Sequence, residues 1–374
     1  MAITTQRLIV GFYPNVNKEE REEIHYNMGA TLVQEIKELN AHVVSVPLEN
    51  VDQYLAQYAT NAKIRYVEID RIAHATGLCR IIPNDPSFDL QWGLEKINAP
   101  EAWCRAVITP ANINIAILDT GIDQDHPDLV ARIARNVNFT TSPTVDDLFG
   151  HGTHVAGIAG AITNNLVNGA GTSFNSGNLW NLKVLGDDGF GLFSWIAAGI
   201  VDATNAGAHV INMSLGGADG SIMLEDAVNF AWNNGVVIVA SAGNDNTNVP
   251  EFPAAYVNVI SVAATDEDDQ KASFSNFGDG VDVAAPGVGI YSTCPNHTNS
   301  IGCMNFGPLN GTSMASPFVA GLAALIRATF PLLSNQIIRQ AIESSTDEVP
   351  GSGVLYQFGR INAEAAMIAS ETVL

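Results

Sequence analysis

Positive charge is scarce in this sequence. Its 374 residues include 17 Lys and Arg against 39 Asp and Glu, a formal net charge of −22 with a pI near 4.5. Such a chain repels phosphate backbones and anionic lipid heads, so nucleic acid and membrane surfaces are poor partners, whereas the surplus carboxylates suit a hard cation such as calcium. No run of about 18 apolar residues is present, and no membrane-spanning helix is expected. The opening MAITTQRLIVGFYPNVNKEERE has only a short apolar stretch with no small-residue cleavage site after it, which is not the pattern of a signal peptide. Cysteine is limited to Cys79, Cys104, Cys294 and Cys303. With no C-x-x-C among them, a zinc ribbon or a dithiol redox motif is excluded. Cys294 and Cys303 flank a turn-rich stretch with Pro295, Asn296 and Gly302; a local bridge and two free thiols both fit that spacing. Internal repeats and low-complexity segments are missing as well. What the chain does have is 47% hydrophobic residues with only 15% charged, ample for a large core and incompatible with disorder as the main state.

Two textures follow one another along the chain. QRLIVGFYP reads as a strand, NKEEREEIHYNMGA as a charged helix ended by Gly29, AHVVSVPL as an alternating strand, VDQYLAQYATN as a second helix and IRYVEIDRIAHA as a closing strand. With TLVQEIKELN between the first helix and AHVVSVPL, the order β-α-β-β-α-β fits a small ferredoxin-like α+β domain over residues 1–76. IIPNDPSFD brings two prolines and turn residues, and a linker with the start of the next domain is placed at 77–90. Beyond it, over 91–374, short continuous apolar runs (INIAILDTG, LWNLKVLG, AHVINMSLGG, VVIVASAGN, VNVISVAAT, VDVAAPG) end in Gly, Asp or Asn and alternate with helical patterns. That is the signature of an α/β domain: a doubly wound parallel sheet with helices on both faces, whose active residues sit at the carboxyl ends of the strands.

Three such ends carry polar residues in apolar surroundings. Asp119 closes INIAILD, where an unpaired carboxylate is costly. His151 opens a small-residue helix, FGHGTHVAGIAGAI, in which Gly150 and Gly152 permit close approach. Ser313 stands just before LNGTSMASPFVAGLAALI becomes helical, with Gly311 and Thr312 tightening the turn. Singly these are a turn residue, a core histidine and a helix cap. Jointly they supply a hydroxyl nucleophile, a base to take its proton and an acid to fix the base's tautomer.

The order Asp…His…Ser, 32 and 162 residues apart, within ILDTGID, HGTHVAGIAG and NGTSMASP, resembles the subtilisin-like serine proteases (subtilases). The likeness runs from about Asp85 to the C-terminus. NDPSFDLQWGLEKINAPEAW is similar to the mature start of the thermitase branch, and the leading eighty residues to the propeptide that chaperones and inhibits such enzymes. The resemblance implies a serine endopeptidase made as a zymogen, with Ser313 as nucleophile, His151 as base and then acid, and Asp119 as orienting carboxylate. Asn244, in VIVASAGND, then occupies the position of the side-chain oxyanion donor. A non-catalytic peptide-binding relative and an esterase are the other readings; the intact triad opposes the first and the peptide-pairing edges oppose the second.

By the same resemblance the substrate pairs with two strand edges, Ser214, Leu215 and Gly216 on one side and Gly189, Phe190 and Gly191 on the other, with Leu185 and Phe193 lining an apolar subsite. Glu251 departs from the small or neutral residues relatives carry near the pocket floor. Together with Asp245 at the rim it favours Lys or Arg before the scissile bond, unless its side chain turns into solvent. Phe318 replaces a histidine common after GTSMASP. A tight calcium site is implied at Asp85, Asp128, the Asn165 side chain and the carbonyls of Ile162, Val167 and Gly169. A weaker one is implied at the carbonyls of Ala254, Tyr256 and Val259 with Asp282. The loop NFTTSPTVDDLFG, with only Asp146 and Asp147, lacks the ligands of a further site. His154, three residues after His151, has no H-E-x-x-H context and reads as structural rather than zinc-binding. Protein and peptide substrates, the chain's own propeptide as intramolecular inhibitor, a monomeric state and an extracellular setting (an intracellular one being the alternative) complete the expectation. Self-cleavage is expected between residues 72 and 84, with Arg71 to Cys79 lying product-like in the cleft.

Overall fold

The apolar run LIVGF closes TQRLIVGF, and in β1 (Thr5–Phe12) its alternate residues Leu8, Val10 and Phe12 are buried. α1 (Lys18–Met28) begins at a capping box in which Asn17 and Glu20 exchange side-chain-to-backbone hydrogen bonds of 3.0 and 2.9 Å, and it stops at Gly29 in the left-handed region, φ 73°. β2 (Thr31–Ile36), β3 (Ala41–Pro47), α2 (Val51–Ala59) and β4 (Ile64–Ile69) follow. The four antiparallel strands lie in the order β2-β3-β1-β4, the ferredoxin-like arrangement read from the sequence. Its core holds a polar chain: His25 Nδ1 lies 2.8 Å from Tyr58 Oη and His25 Nε2 lies 3.0 Å from His42 Nδ1. Burial pushes His25 down to about 4, so the ring is neutral in the folded unit at neutral pH.

The computed structural model describes residues 5–47, 50–70, 79–106 and 113–373. Two units separate between residues 77 and 78. The expected propeptide tail at 71–78, and with it most of the expected cleavage window, lies outside the described residues.

In the second unit, α3 (Trp92–Lys96) and α4 (Ala99–Arg105) lead to β5 (Asn114–Asp119), β6 (Ile133–Asn138), α5 (His151–Gly160), β7 (Asn178–Lys183), α6 (Phe193–Ala206), β8 (Val210–Met213), α7 (Ile222–Asn233) and β9 (Val237–Ser241). β10 (Ile260–Thr265), β11 (Val283–Pro286), β12 (Ile290–Thr293), β13 (Phe306–Leu309), α8 (Thr312–Thr329), α9 (Asn335–Ser344) and α10 (Ala363–Thr372) complete it. Seven parallel strands run in the order β11-β10-β9-β8-β5-β7-β6. The six apolar runs read as strands are β5, β7, β8, β9, β10 and β11, each buried on both faces. The edge strand β6, IARNVN, is half polar and gave no such signal. α5 and α8 pack together on one face of the sheet and α6 and α7 on the other.

β5 is the first strand of this sheet, and the chain winds from it to both sides, so its carboxyl end is the topological switch point, where open α/β sheets leave a crevice. Asp119 is the last residue of that strand. A separate hairpin, β12 with β13, flanks α5, where Gly157 brings the helix against Ser292 and Thr293. Two disulfides close the unit's loops. Cys294–Cys303 resolves the open alternative in favour of a bridge, and Cys79–Cys104, 25 residues apart, was not foreseen.

Candidate active site

Asp119 is 1% exposed and accepts at one oxygen from two donors: its Oδ1 takes the Thr120 N–H at 2.7 Å and lies 2.7 Å from His151 Nδ1. Its Oδ2 is buried without a hydrogen-bond partner among the described residues. An acceptor left so is stabilised by any positive charge that develops on the imidazole. Burial alone would lower the His151 pKa, but the charge and hydrogen bond of Asp119, then the charge of Asp147, more than offset it, and the net shift is upward. The strand end can come this close to α5 because residue 152 is glycine. A Cβ there would collide with the Gly121 carbonyl and stand 3.0 Å from Asp119 Cβ.

Ser313 is the second residue of α8, entered through Gly311 at φ 151°. Its hydroxyl donates to the Ser214 carbonyl at 3.3 Å, and no hydrogen bond joins it to His151. The pair Asp119–His151 is therefore assembled, and the Ser313 hydroxyl is bonded instead to Ser214, a residue that lines one groove with His151. Pro317, inside α8, has no N–H for the Ser313 carbonyl four residues before it. The Ser214 hydroxyl supplies that bond at 2.8 Å, and itself meets Asn212 Nδ2 at 3.0 Å and Ser316 Oγ at 2.9 Å. Asn244 is fixed by its oxygen, which accepts the N–H and hydroxyl of Thr312 at 2.9 and 3.0 Å, leaving its exposed amide NH₂ as a free donor. The Ser313 N–H, in the first turn of its helix, has no intrahelical acceptor.

Both expected substrate edges line one open groove with His151: 189–191 on one wall, 214–216 on the other, and Leu185 and Phe193 behind them. Glu251 lies next to this groove rather than in solvent. Its Oε1 accepts from Asn276 Nδ2 at 2.9 Å, and a Cβ on Gly216 would come within 2.7 Å of its Oε2. Burial raises the Glu251 pKa, Asn276 opposes this, and the neighbouring charge of Asp245 adds to it.

The tight cation set also converges. Asp85 accepts the N–H groups of Asn164 and Asn165 at 2.8 and 2.9 Å, and the Asn165 amide donates to Asp128 Oδ1 at 2.7 Å. Left-handed residues at Asn164, Leu166 and Asn168 curl the loop that carries Ile162, Asn165, Val167 and Gly169. Neither buried carboxylate pairs with Lys, Arg or His among the described residues. Burial and the charge of Asp85 push Asp128 up to about 7 against its Asn165 and Gly169 donors. Two desolvated oxygen ligands without a counter-charge fit a hard dication.

At the weaker set, Arg339 donates to the Val257 carbonyl at 2.6 Å and to Asp282 at 3.1 Å, so a guanidinium already meets the charge that an ion would. Asp123, Asp146 and His297 bring one ligand atom each within 4.8 Å of the others, a grouping not read from sequence. Asp123 accepts the Asp125 and Asn296 N–H groups and His297 lies 3.6 Å from Asp146 within the grouping itself; we assign no ion there. His154 bonds the Gly307 carbonyl at 3.0 Å and is driven by burial to about 3, a neutral core residue.

Sequence reasoning missed Asn276, Arg339 and Ser316, whose roles depend on partners far along the chain. It noted Asp147 only in a loop judged to lack the ligands of a further calcium site and gave it no role.

Comparison with known proteins accounts for this arrangement. The subtilase family model (Peptidase_S8) matches residues 111–360, and the fervidolysin N-terminal prodomain model matches residues 4–70. Thermitase of Thermoactinomyces vulgaris is 45% identical over 287 residues, 76% of this chain and 99% of that protein. A thermophilic serine proteinase of Bacillus sp. (strain AK1) is 38% identical over 362 residues, 96% of this chain and 86% of that protein. A solved protease from Pseudoalteromonas arctica superposes with a TM-score of 0.71 at 34% identity, covering 77% of this chain and 99% of that one. The chain belongs to the subtilase family and is a subtilisin-like serine endopeptidase with an N-terminal prodomain.

Because the Asp119–His151 approach depends on a missing Cβ, Gly152→Ala is expected to lower kcat at least ~10²-fold, as for a displaced catalytic group. Single-turnover kinetics on the purified variant, with circular dichroism to confirm folding, will measure it.

Proposed function

We propose that this subtilase is a self-processing zymogen in which residues 1–76 are the inhibitory propeptide, 77–90 the linker and mature N-terminal segment, and 91–374 the catalytic domain. The observation that carries the reading is the 2.7 Å contact of His151 Nδ1 with the buried carboxylate of Asp119, beside a serine at a helix N-terminus. Rotation about the Ser313 Cα–Cβ bond takes its hydroxyl from the Ser214 carbonyl to His151 Nε2. His151 accepts the proton as Oγ attacks the scissile carbonyl, and Asp119 stabilises the imidazolium. The Asn244 amide and the Ser313 N–H hold the developing oxyanion; one such donor contributes about 2.7–4 kcal/mol to the transition state. His151 then protonates the leaving amine, and water activated by the same ring hydrolyses the acyl-enzyme on Ser313.

Substrate backbone pairs with the edges 214–216 and 189–191. Glu251, held by Asn276 beside Gly216, directs the enzyme toward Lys or Arg before the scissile bond, alongside bulky apolar residues. Calcium, when bound, supplies structural charge: Asp85, Asp128, Asn165 and the carbonyls of Ile162, Val167 and Gly169 hold it, and it takes no part in catalysis. An extracellular setting accords with both disulfides, because such bridges persist in oxidising compartments.

Three outcomes are expected. Diisopropyl fluorophosphate labels Ser313 in the processed enzyme, Ser313→Ala accumulates uncut precursor, and kcat/KM falls on acidification through a pH above the ordinary histidine range; an unlabelled, unprocessed wild type would sink the assignment. Glu251→Gln is expected to lower kcat/KM about tenfold or more for peptides with Lys or Arg before the scissile bond and to spare those with Phe. In the parent enzyme the preference for basic residues strengthens as pH rises through a value above the usual glutamate range. Chelation lowers the thermal midpoint of Ser313→Ala protein, with ~2.7 kcal/mol of stability restored at calcium 100 times Kd. Calorimetry on Asp128→Ala, which no longer responds to calcium, checks the site.

A further inference from the structure

We propose that Asp147, a second buried carboxylate beside the Asp119–His151 pair, is a positioning residue for catalysis: it fastens the helix that carries His151 to the strand end that carries Asp119. This rests on the assignment of His151 as the base.

α5 starts with no side chain at its cap, because Gly150 precedes it at φ 107°. Its first N–H groups must find acceptors elsewhere. That of Gly152 donates to Thr120 Oγ1 at 2.9 Å and that of Thr153 to Asp147 Oδ2 at 2.8 Å. The Thr153 hydroxyl donates to the same oxygen at 2.6 Å. Asp147 Oδ1 takes the Gly150 N–H at 2.7 Å and the Thr120 hydroxyl at 2.8 Å. Thr120 is the neighbour of Asp119, and Gly150 the neighbour of His151. One carboxylate with no exposed surface therefore gathers four donors from the strand end, the turn before His151 and the first turn of α5. All four are donors and favour the ionised form, against a burial that raises the Asp147 pKa. No Lys or Arg pairs with Asp147 among the described residues.

A helix cap alone would account for the two α5 bonds. The Thr120 bond goes further, because it closes a ring through Asp119, Thr120, Asp147, Gly150 and His151. The charge of Asp147 also adds to that of Asp119 in holding the imidazolium. The other titratable groups around the ring are His154 on α5, Asp146, Asp123 and His297 in the adjoining loops, Lys183 at the end of β7 and Asp187 after it. Lys183 donates to the Thr120 and Asp146 carbonyls.

Asp147→Asn keeps the volume but turns an NH₂ toward two of the donors and removes the charge. For mature enzyme, normalised to sites titrated by diisopropyl fluorophosphate, kcat is expected to fall about 10- to 100-fold with KM little changed. The acid limb of kcat/KM moves to lower pH. Thr120→Val, which keeps the charge and cuts the bridge to the strand, is expected to lower kcat likewise and serves where the first variant does not mature. Unaltered per-site kcat and acid limb in Asp147→Asn, or unaltered kcat in Thr120→Val, overturns the proposal and leaves Asp147 a stability element. Failure of the unsubstituted enzyme to be labelled at Ser313 instead sinks the assignment of the triad.

Discussion

The 2.7 Å contact between His151 Nδ1 and Asp119 Oδ1 joins a charge to the end of a strand that is otherwise sealed in hydrocarbon, and most of the catalytic unit's polar architecture follows from that placement. A buried carboxylate must be compensated. The Thr120 N–H and the imidazole do so for one oxygen of Asp119, and the second oxygen stays without a donor. This leaves the site more favourable to an imidazolium than to a neutral ring. The sheet's winding puts the strand end in a crevice, Gly152 lets α5 reach it, and Gly311 lets α8 present Ser313 across from it.

Acidic excess recurs throughout the same unit. Several buried carboxylates have no basic side chain opposite them: Asp147 relies on four N–H and O–H donors, while Asp85 and Asp128 face each other through Asn165. The few cations are committed elsewhere. Arg132 donates to the Gly160 and Gly177 carbonyls, Arg339 binds Asp282, and Arg360 binds Asp269 and Asp347. With so few basic side chains, the chain compensates buried negative charge by backbone and hydroxyl donors, and it leaves Asp85 and Asp128 without a basic partner among the described residues.

Much of this was legible before any coordinates. Strands such as INIAILD and VIVAS are apolar on both faces, and only a covered parallel sheet buries both, so their pattern specified the sheet. The apolar run in QRLIVGFYP and the alternation in AHVVSVPL, with Gly29 as a stop, did the same for the small unit. β6 was hidden because an edge strand needs only one apolar face, and the β12–β13 hairpin because its segments are short and mixed. Asp119, His151 and Ser313 stood out because turn glycines and small residues surround each, and the structure joins the first two. The oxyanion and groove-edge roles proposed for Asn244, 189–191 and 214–216 rest on family likeness. Asn276 beside Glu251, Arg339 at Asp282 and the Cys79–Cys104 bridge had no local signature, since each depends on partners that only the tertiary fold assembles. The hydroxyl of Ser313, turned to the Ser214 carbonyl, is a rotamer, and a rotamer leaves no trace in a sequence.

The Cys79–Cys104 bridge bears on how an inhibitory leader is set free. Cys79 stands six residues ahead of Asp85 and is bonded to α4 of the catalytic unit. Hydrolysis on the carboxyl side of Cys79 would leave the leader and the enzyme as one covalent molecule, joined through sulfur, and peptide-bond cleavage alone would not let them part. Hydrolysis on the amino side discards the leader whole and leaves a new terminus that cannot fray past the bridge, so the buried Asp85 behind it keeps its anchorage. The self-processing proposed for this chain is thereby divided by a single cysteine into scission that liberates and scission that merely nicks.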